Sequence, residues 1–164
     1  MSEILGGGMA SRLFQSAREE RGLAYAIDAY QEPYADTGVL GIYAGAAADR
    51  AKELAQVSAA EVRALAEAGP SAAELSRAKA VMKAGLWMSD ENPMSRAGRN
   101  AGQTLIFGRP LTSEAMTEQL EAQTVEDVRA VGARLLDGGK AASAVLGPKA
   151  AGGAGEAFEA ALFG

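Results

Sequence analysis

Met9, Leu13, Phe14 and Ala17 recur at offsets of four, five and eight, the stripe of an amphipathic helix that Gly22 stops. Ahead of it, Met1 to Leu5 reads as the end of an apolar helical segment that enters Gly6-Gly7-Gly8 without a cap of its own. From Tyr25 to Gln31 and from Val39 to Ala46 the pattern turns extended and rich in Tyr, Ile, Val and Ala, with Pro33, Asp36, Thr37 and Gly38 between, which predicts a hairpin. Ala51, Leu54, Ala55, Ser58, Val62 and Leu65 then mark the inner face of a long helix over 48–68 that Gly69-Pro70 ends.

Ser71 with Glu74 is a capping box, so a second helix starts there and carries Leu75, Ala78, Met82 and Leu86 on one side. Asn92-Pro93 forces a kink or a restart, because proline lacks the N–H and its ring clashes with the preceding turn. A further helix from Met94 reaches Phe107 before Gly108-Arg109-Pro110, Thr112 or Ser113 can cap a short one, and Thr124 with Asp127 can cap another that buries Val128, Val131 and Leu135. Ala141 to Leu146 reads as a last strand, stopped by Gly147-Pro148, and residues 149–164 as a Gly/Ala-rich, mobile tail. The order of helix, hairpin, several helices and strand is α+β with a mainly antiparallel sheet and not alternating βαβ.

Composition narrows the function. Of 164 residues 37 are Ala and 20 are Gly, so the core packs small side chains closely and gains little apolar area per residue, a reason to lean on a neighbour. A net charge of −5 argues against a nucleic-acid partner, and the charge-free stretches, such as Thr37 to Ala48, are too short to span a membrane. With no Cys and no His, the chain cannot supply thiolate or imidazole, which removes most zinc, copper and haem sites and every His-based triad. The lack of Cys and of signal-peptide character makes a cytoplasmic, reducing setting the default expectation.

The residues left for chemistry each have a plain structural reading. Gly6, Gly7 and Gly8 lack the lysine of a P-loop and the spacing of a dinucleotide fingerprint, and read better as a flexible joint. Arg18, Glu19, Glu20 and Arg21 read by spacing alone as a solvated helix end, and Asp28, Asp90 and Glu91 as a strand edge and a helix-end cap. Tyr25 and Tyr30, an odd number apart, sit on opposite faces of the first strand, and Trp87 reads as core or interface.

Taken together, however, Ile4-Leu5-Gly6-Gly7-Gly8-Met9-Ala10-Ser11-Arg12-Leu13-Phe14-Gln15, Arg18-Glu19-Glu20-Arg21-Gly22-Leu23-Ala24-Tyr25 and Asp36-Thr37-Gly38 leading into Gly41-Ile42-Tyr43-Ala44-Gly45 carry a signature. The sequence over 1–148 resembles the C-terminal half of the insulinase-type zinc metallopeptidases, the group that includes pitrilysin and mitochondrial processing peptidase. The resemblance implies an α+β domain with helices packed on one face of the sheet, one wall of a clamshell around a peptide chamber. It implies that zinc and the His-x-x-Glu-His motif belong to a partner catalytic domain or subunit, and that this chain holds no metal and is inactive alone. It assigns Arg18 and Tyr25, seven residues apart, to holding the carbonyl of an extended peptide substrate, and puts Gly6, Gly7 and Gly8 in a loop near the chamber. Because the family domain normally begins some tens of residues earlier, with a strand, the chain is expected to be incomplete and to self-associate or be stabilised by the catalytic half. The alternative is a structural or assembly domain like the core proteins of the cytochrome bc complex.

Overall fold

The computed structural model describes residues 1–34 and 36–164. They form two compact units, one made of residues 1–70 with 125–164 and the other of residues 71–124.

The first unit opens with helix α1 (Ser2–Gly6), whose Ile4, Leu5 and Gly6 are buried. The hairpin follows: β1 (Ala26–Pro33) pairs antiparallel with β2 (Gly38–Gly45), in a register that sets Ala26 opposite Gly45 and Tyr30 opposite Gly41. Side chains alternate across a strand, so Ile27 and Ala29 share one face and Asp28 and Tyr30 the other. Helix α1 packs on the first face, where Ile27 is buried and where a β-carbon on Gly6 would lie 2.2 Å from the Ala29 nitrogen. Among the described residues the sheet has these two strands, and residues 141–146, expected to add one, have no regular secondary structure. Their largest side chains, Val145 and Leu146, are exposed, so the segment has no apolar face to hold it against a sheet.

Helix α2 (Ala51–Ala68) is the spine of this unit. Its buried stripe is Leu54, Ser58, Ala59, Val62, Leu65 and Ala66; of the expected face Ala51 and Ala55 are only half-buried, and Ala59 and Ala66 are buried in addition. Those alanines let backbones approach. On α6 (Val125–Asp137) Val128 and Gly132 are buried, whereas Val131 and Leu135, expected inside, are partly exposed; a β-carbon on Gly132 would lie 2.5 Å from the Ala66 α-carbon. The stretch expected to be a tail is instead helix α7 (Ala154–Phe163), which packs on α2 through buried Ala154, Ala157 and Leu162. Alanine is the best helix former and its small side chain permits close packing, so a composition that reads as a linker folds once a helix is present to receive it. Arg63 of α2 donates to the Gly164 carbonyl at 3.1 Å and so fastens its far end. The chain leaves α2 at Gly69 and returns at Val125 beside it, since a β-carbon on Gly69 would lie 3.1 Å from Val125 Cγ1.

The second unit starts at the expected capping box, with the Ser71 N–H donating to Glu74 at 2.8 Å and the Glu74 N–H donating to the Ser71 hydroxyl at 3.2 Å. Helix α3 (Ala72–Asp90) ends before Asn92, whose Oδ1 accepts from the N–H groups of Met94 and Ser95 to start α4 (Pro93–Phe107); the proline therefore restarts the chain as a new helix. Thr112 caps α5 (Ser113–Glu121). Polar clamps hold these helices. The Ser113 hydroxyl and the Arg99 guanidinium both donate to the Asp90 carboxylate, Arg99 also donates to the Ser89 hydroxyl at 2.9 Å, and Lys83 pairs with Glu121. Apolar burial is sparse by comparison: α3 buries Ala78 and α4 buries no residue, while Met82, Trp87, Met88, Met94, Leu105, Ile106 and Phe107 are all exposed by two-fifths or more.

Two predictions follow from this packing. Gly132→Ala adds a methyl where the α2 backbone stands, and despite the better helix propensity of alanine it should destabilise the chain by about 1–3 kcal/mol. Gly98→Ala, in the interior of α4 with open space around it, should stabilise by about 0.5–1 kcal/mol; opposite shifts in denaturation midpoint check the pair. The second prediction concerns pH. The Ser113 hydroxyl first, and then the Arg99 guanidinium, hold the Asp90 carboxyl below its ordinary value, and Lys83 does the same for Glu121. A depressed carboxyl contributes stability that is present above its unfolded value and lost as pH falls through its folded one. Acidification through about pH 5 to 2 should therefore loosen residues 71–124 as read by amide exchange, and Asp90→Asn should flatten that dependence in part, leaving the share due to Glu121.

Candidate functional site

The segment that carries the signature is built around an unusual turn. Ser11 is buried and its hydroxyl donates to the Gly8 carbonyl at 2.6 Å, while the Gln15 side-chain amide donates to the Met9 carbonyl at 2.6 Å; both tie the glycine-rich entry to the helix that follows. Residues Phe14–Glu19 then wind as a π-helix, marked by the Glu20 N–H donating five residues back to the Gln15 carbonyl at 2.9 Å. Such wide turns are rare and recur at functional sites. No composition or periodicity signals it, and the sequence shows only an ordinary helical stripe there.

Gly22, at φ +59°, closes the turn in the left-handed region that glycine reaches without steric cost. Its N–H donates to the Arg18 carbonyl at 3.1 Å, and the Leu23 N–H donates to the Ala17 carbonyl at 2.8 Å. Leu23 and Ala24 are buried, and the Tyr25 N–H donates to the Gly45 carbonyl at 2.8 Å, one step before the β1 ladder begins. The main chain at Arg18 and at Tyr25 is thus fixed by hydrogen bonds on either side of one glycine stop.

Their side chains are left outside. Tyr25 is 70% exposed, and the Arg18 side chain is 43% exposed. The Arg18 guanidinium carbon lies 4.6 Å from the centre of the Phe14 ring, and its Nε stands 4.0 Å from a Glu19 oxygen. Arg18 and Tyr25 do not hydrogen-bond to one another, and the donors of both face solvent. Neither Tyr25 nor Tyr30 turns inward, against the expectation that one of them would. Tyr30, opposite Gly41, lays its ring where a β-carbon of Gly41 would come within 2.3 Å of Cζ, and the Tyr25 ring reaches 3.9 Å from the β-carbon position of Gly45. With Tyr43 between those two glycines on β2 and 62% exposed, Tyr30 and Tyr43 share the face of the hairpin that does not meet α1, and Tyr25 is exposed just before β1.

The glycine triplet is not one uniform loop. Gly6 is buried against the Ala29 backbone, Gly7 leaves room for the Glu3 carboxylate, which a β-carbon there would meet at 2.3 Å, and Gly8 adopts φ +140° in open space. Burial pushes the Glu3 carboxyl above its ordinary value. A joint that needs no side chain at two positions and an unusual φ at the third accounts for all three glycines without a phosphate ligand.

Other features offer less chemistry. Among the described residues no three His, Cys, Asp or Glu side chains gather closely enough to hold a metal ion, so they do not fit zinc. In the second unit an open cavity of about 290 Å³ is lined by Asp90, Arg96, Arg99, Asn100 and the segment 110–113, but Asp90 and Arg99 are already bonded to one another there. No helix is long and apolar enough to cross a membrane among the described residues. Trp87 is 43% exposed on α3.

Residues 1–82 match the family described as the peptidase M16 inactive domain. The chain is 38% identical over 144 residues to an uncharacterized zinc protease of Mycobacterium tuberculosis (strain H37Rv), covering 88% of this chain and 33% of that protein. It is 34% identical over 135 residues to the uncharacterized zinc protease YmxG of Bacillus subtilis, covering 82% of this chain and 33% of that protein. Among solved structures, a chain of complex III from Candida albicans is 25% identical with a TM-score of 0.70, covering 80% of this chain and 33% of that one. The peptidase M16 inactive domain from Pseudomonas fluorescens is 26% identical with a TM-score of 0.66, covering 79% of this chain and 31% of that one. The chain spans about a third of the length of the curated relatives it matches. On these grounds, and on an α+β fold that agrees with them, the chain belongs to the inactive-domain family of the M16 zinc peptidases.

Proposed function

We propose that the chain is the non-catalytic C-terminal domain or subunit of an insulinase-type zinc endopeptidase, and that it completes a peptide chamber whose zinc is held by a catalytic half. The observation that carries this reading is the pair Arg18 and Tyr25, fixed in the main chain on either side of Gly22 and exposed in the side chain. A guanidinium and a phenol with unspent donors can hydrogen-bond a peptide carbonyl oxygen and strengthen those bonds as the oxygen gains negative charge under attack. Arg18 carries five donors in a rigid fork and Tyr25 one, so the first orients the carbonyl and the second adds a donor that matters most in the transition state. The tyrosine face of the hairpin is suited to lie along an extended substrate. The zinc that the family implies would sit outside this chain, and by itself the chain hydrolyses no peptide.

Assembly belongs to the same reading. The apolar side chains exposed on α3 and α4 support cover by another protein, either the catalytic half or a second copy. Sedimentation is expected to show concentration-dependent association of the chain alone, or a gain in thermal stability on adding the catalytic half. A stable monomer that neither associates nor responds would count against this part.

A second reading, a scaffold without proteolysis, is favoured by the likeness to a complex III chain. The two separate on one substitution. In the assembled peptidase, Tyr25→Phe keeps the ring and removes a donor, and should lower turnover about a hundred- to a thousand-fold with little change in folding. Arg18→Ala should lower turnover and raise KM, because a guanidinium also contacts the carbonyl before reaction. Wild-type kinetics in Tyr25→Phe, with zinc bound, would favour the scaffold.

A further inference from the structure

We infer that Phe14 is the positioning residue for Arg18, holding the guanidinium by its face so that its N–H edge stays available to a substrate carbonyl. The inference rests on the role proposed above for Arg18. Phe14 is a large aromatic that is only half-buried, in a segment whose buried residues are the small Ser11, Ser16 and Ala17 beside Leu13. It lies four residues before Arg18, at the start of the π-helical turn that carries both. The guanidinium carbon stands 4.6 Å from the ring centre, within the range at which a cation is attracted to the face of an aromatic ring.

The way Arg18 is held is what matters. A carboxylate placed to orient an arginine occupies the same N–H groups that a carbonyl needs, and it neutralises the charge that would stabilise an oxyanion. A ring under the guanidinium plane consumes no donor and leaves the positive charge in place. Glu19 approaches only Nε, at 4.0 Å, with both partners well exposed, so it competes weakly. The opposite side of Arg18 is secured through its carbonyl by Gly22. Main chain and side chain are therefore fixed independently, and the five donors remain unspent.

The test uses the full chain assembled with its zinc-binding half, and the variants Phe14→Leu, Phe14→Trp and Arg18→Ala. In the wild-type protein the δ-protons of Arg18 should be shifted upfield by the ring current of Phe14, and that shift should vanish in Phe14→Leu and persist in Phe14→Trp. Phe14→Leu should lower turnover about two- to five-fold, with Phe14→Trp restoring it, and the double variant Phe14→Leu/Arg18→Ala should be no slower than Arg18→Ala alone. No upfield shift in the wild type overturns the inference whether or not any variant folds. Additive losses in the double variant also overturn it, since Phe14 would then act apart from Arg18. If Arg18→Ala slows turnover while Phe14→Leu does not, the positioning role fails and the proposed function survives; if Arg18→Ala has no effect, both fail.

Discussion

Backbone must approach backbone in this chain, and the contact of Gly132 with Ala66 is where the packing of two helices depends on it. A β-carbon there would stand 2.5 Å from the α-carbon of the facing helix, so α6 can lie on α2 only with glycine at that point. A core poor in aromatics has few large side chains with which to fill space, and dispersion falls away quickly across a gap. Such a core gains its cohesion by bringing helices together until small side chains touch. Gly6 against Ala29 repeats the solution between α1 and the hairpin, and α7 repeats it on α2 with alanines. The Gly6 contact sets α1 on the hairpin whose first strand follows Tyr25.

The two units are stabilised by different means. The first buries leucines and alanines along α2. The second relies on caps and on Asp90 bonded to Arg99 and Ser113, with little apolar area withdrawn from water. Polar clamps define geometry well and add little net stability, which leaves the second unit responsive to acid and to whatever covers its apolar side chains.

Punctuation was the most legible part of the sequence. Gly22, Gly69, the Ser71 and Glu74 box, Asn92-Pro93, Gly108 and Thr112 each act through a local stereochemical rule, and each element boundary they mark is present in the structure. What could not be read was set by partners distant in sequence. Residues 141–146 look like a strand until a sheet edge is required of them, and residues 149–164 look like a tail until α2 is there to receive a helix. Periodicity points Val131 and Leu135 inward, but Gly132 takes the contact because the facing surface is alanine. At the candidate site, Arg18 and Tyr25 stand out only through family likeness, since their spacing alone reads as a solvated helix end. The π-turn beneath them was not legible, because it depends on one extra residue being accommodated between fixed ends.

The return of the chain at Val125 beside Gly69 carries a consequence for biosynthesis. Residues 71–124 are an insertion, contiguous and equipped with their own caps, whereas the unit around α2 is discontinuous in sequence. On a chain made from its N-terminus, α2 emerges long before α6 and α7, so the part of its surface that those two helices cover stays open while the whole of the insertion is being translated. The insertion can fold first even though it comes second, and the interval it imposes is the time during which a nascent α2 is exposed to wrong partners, including chaperones.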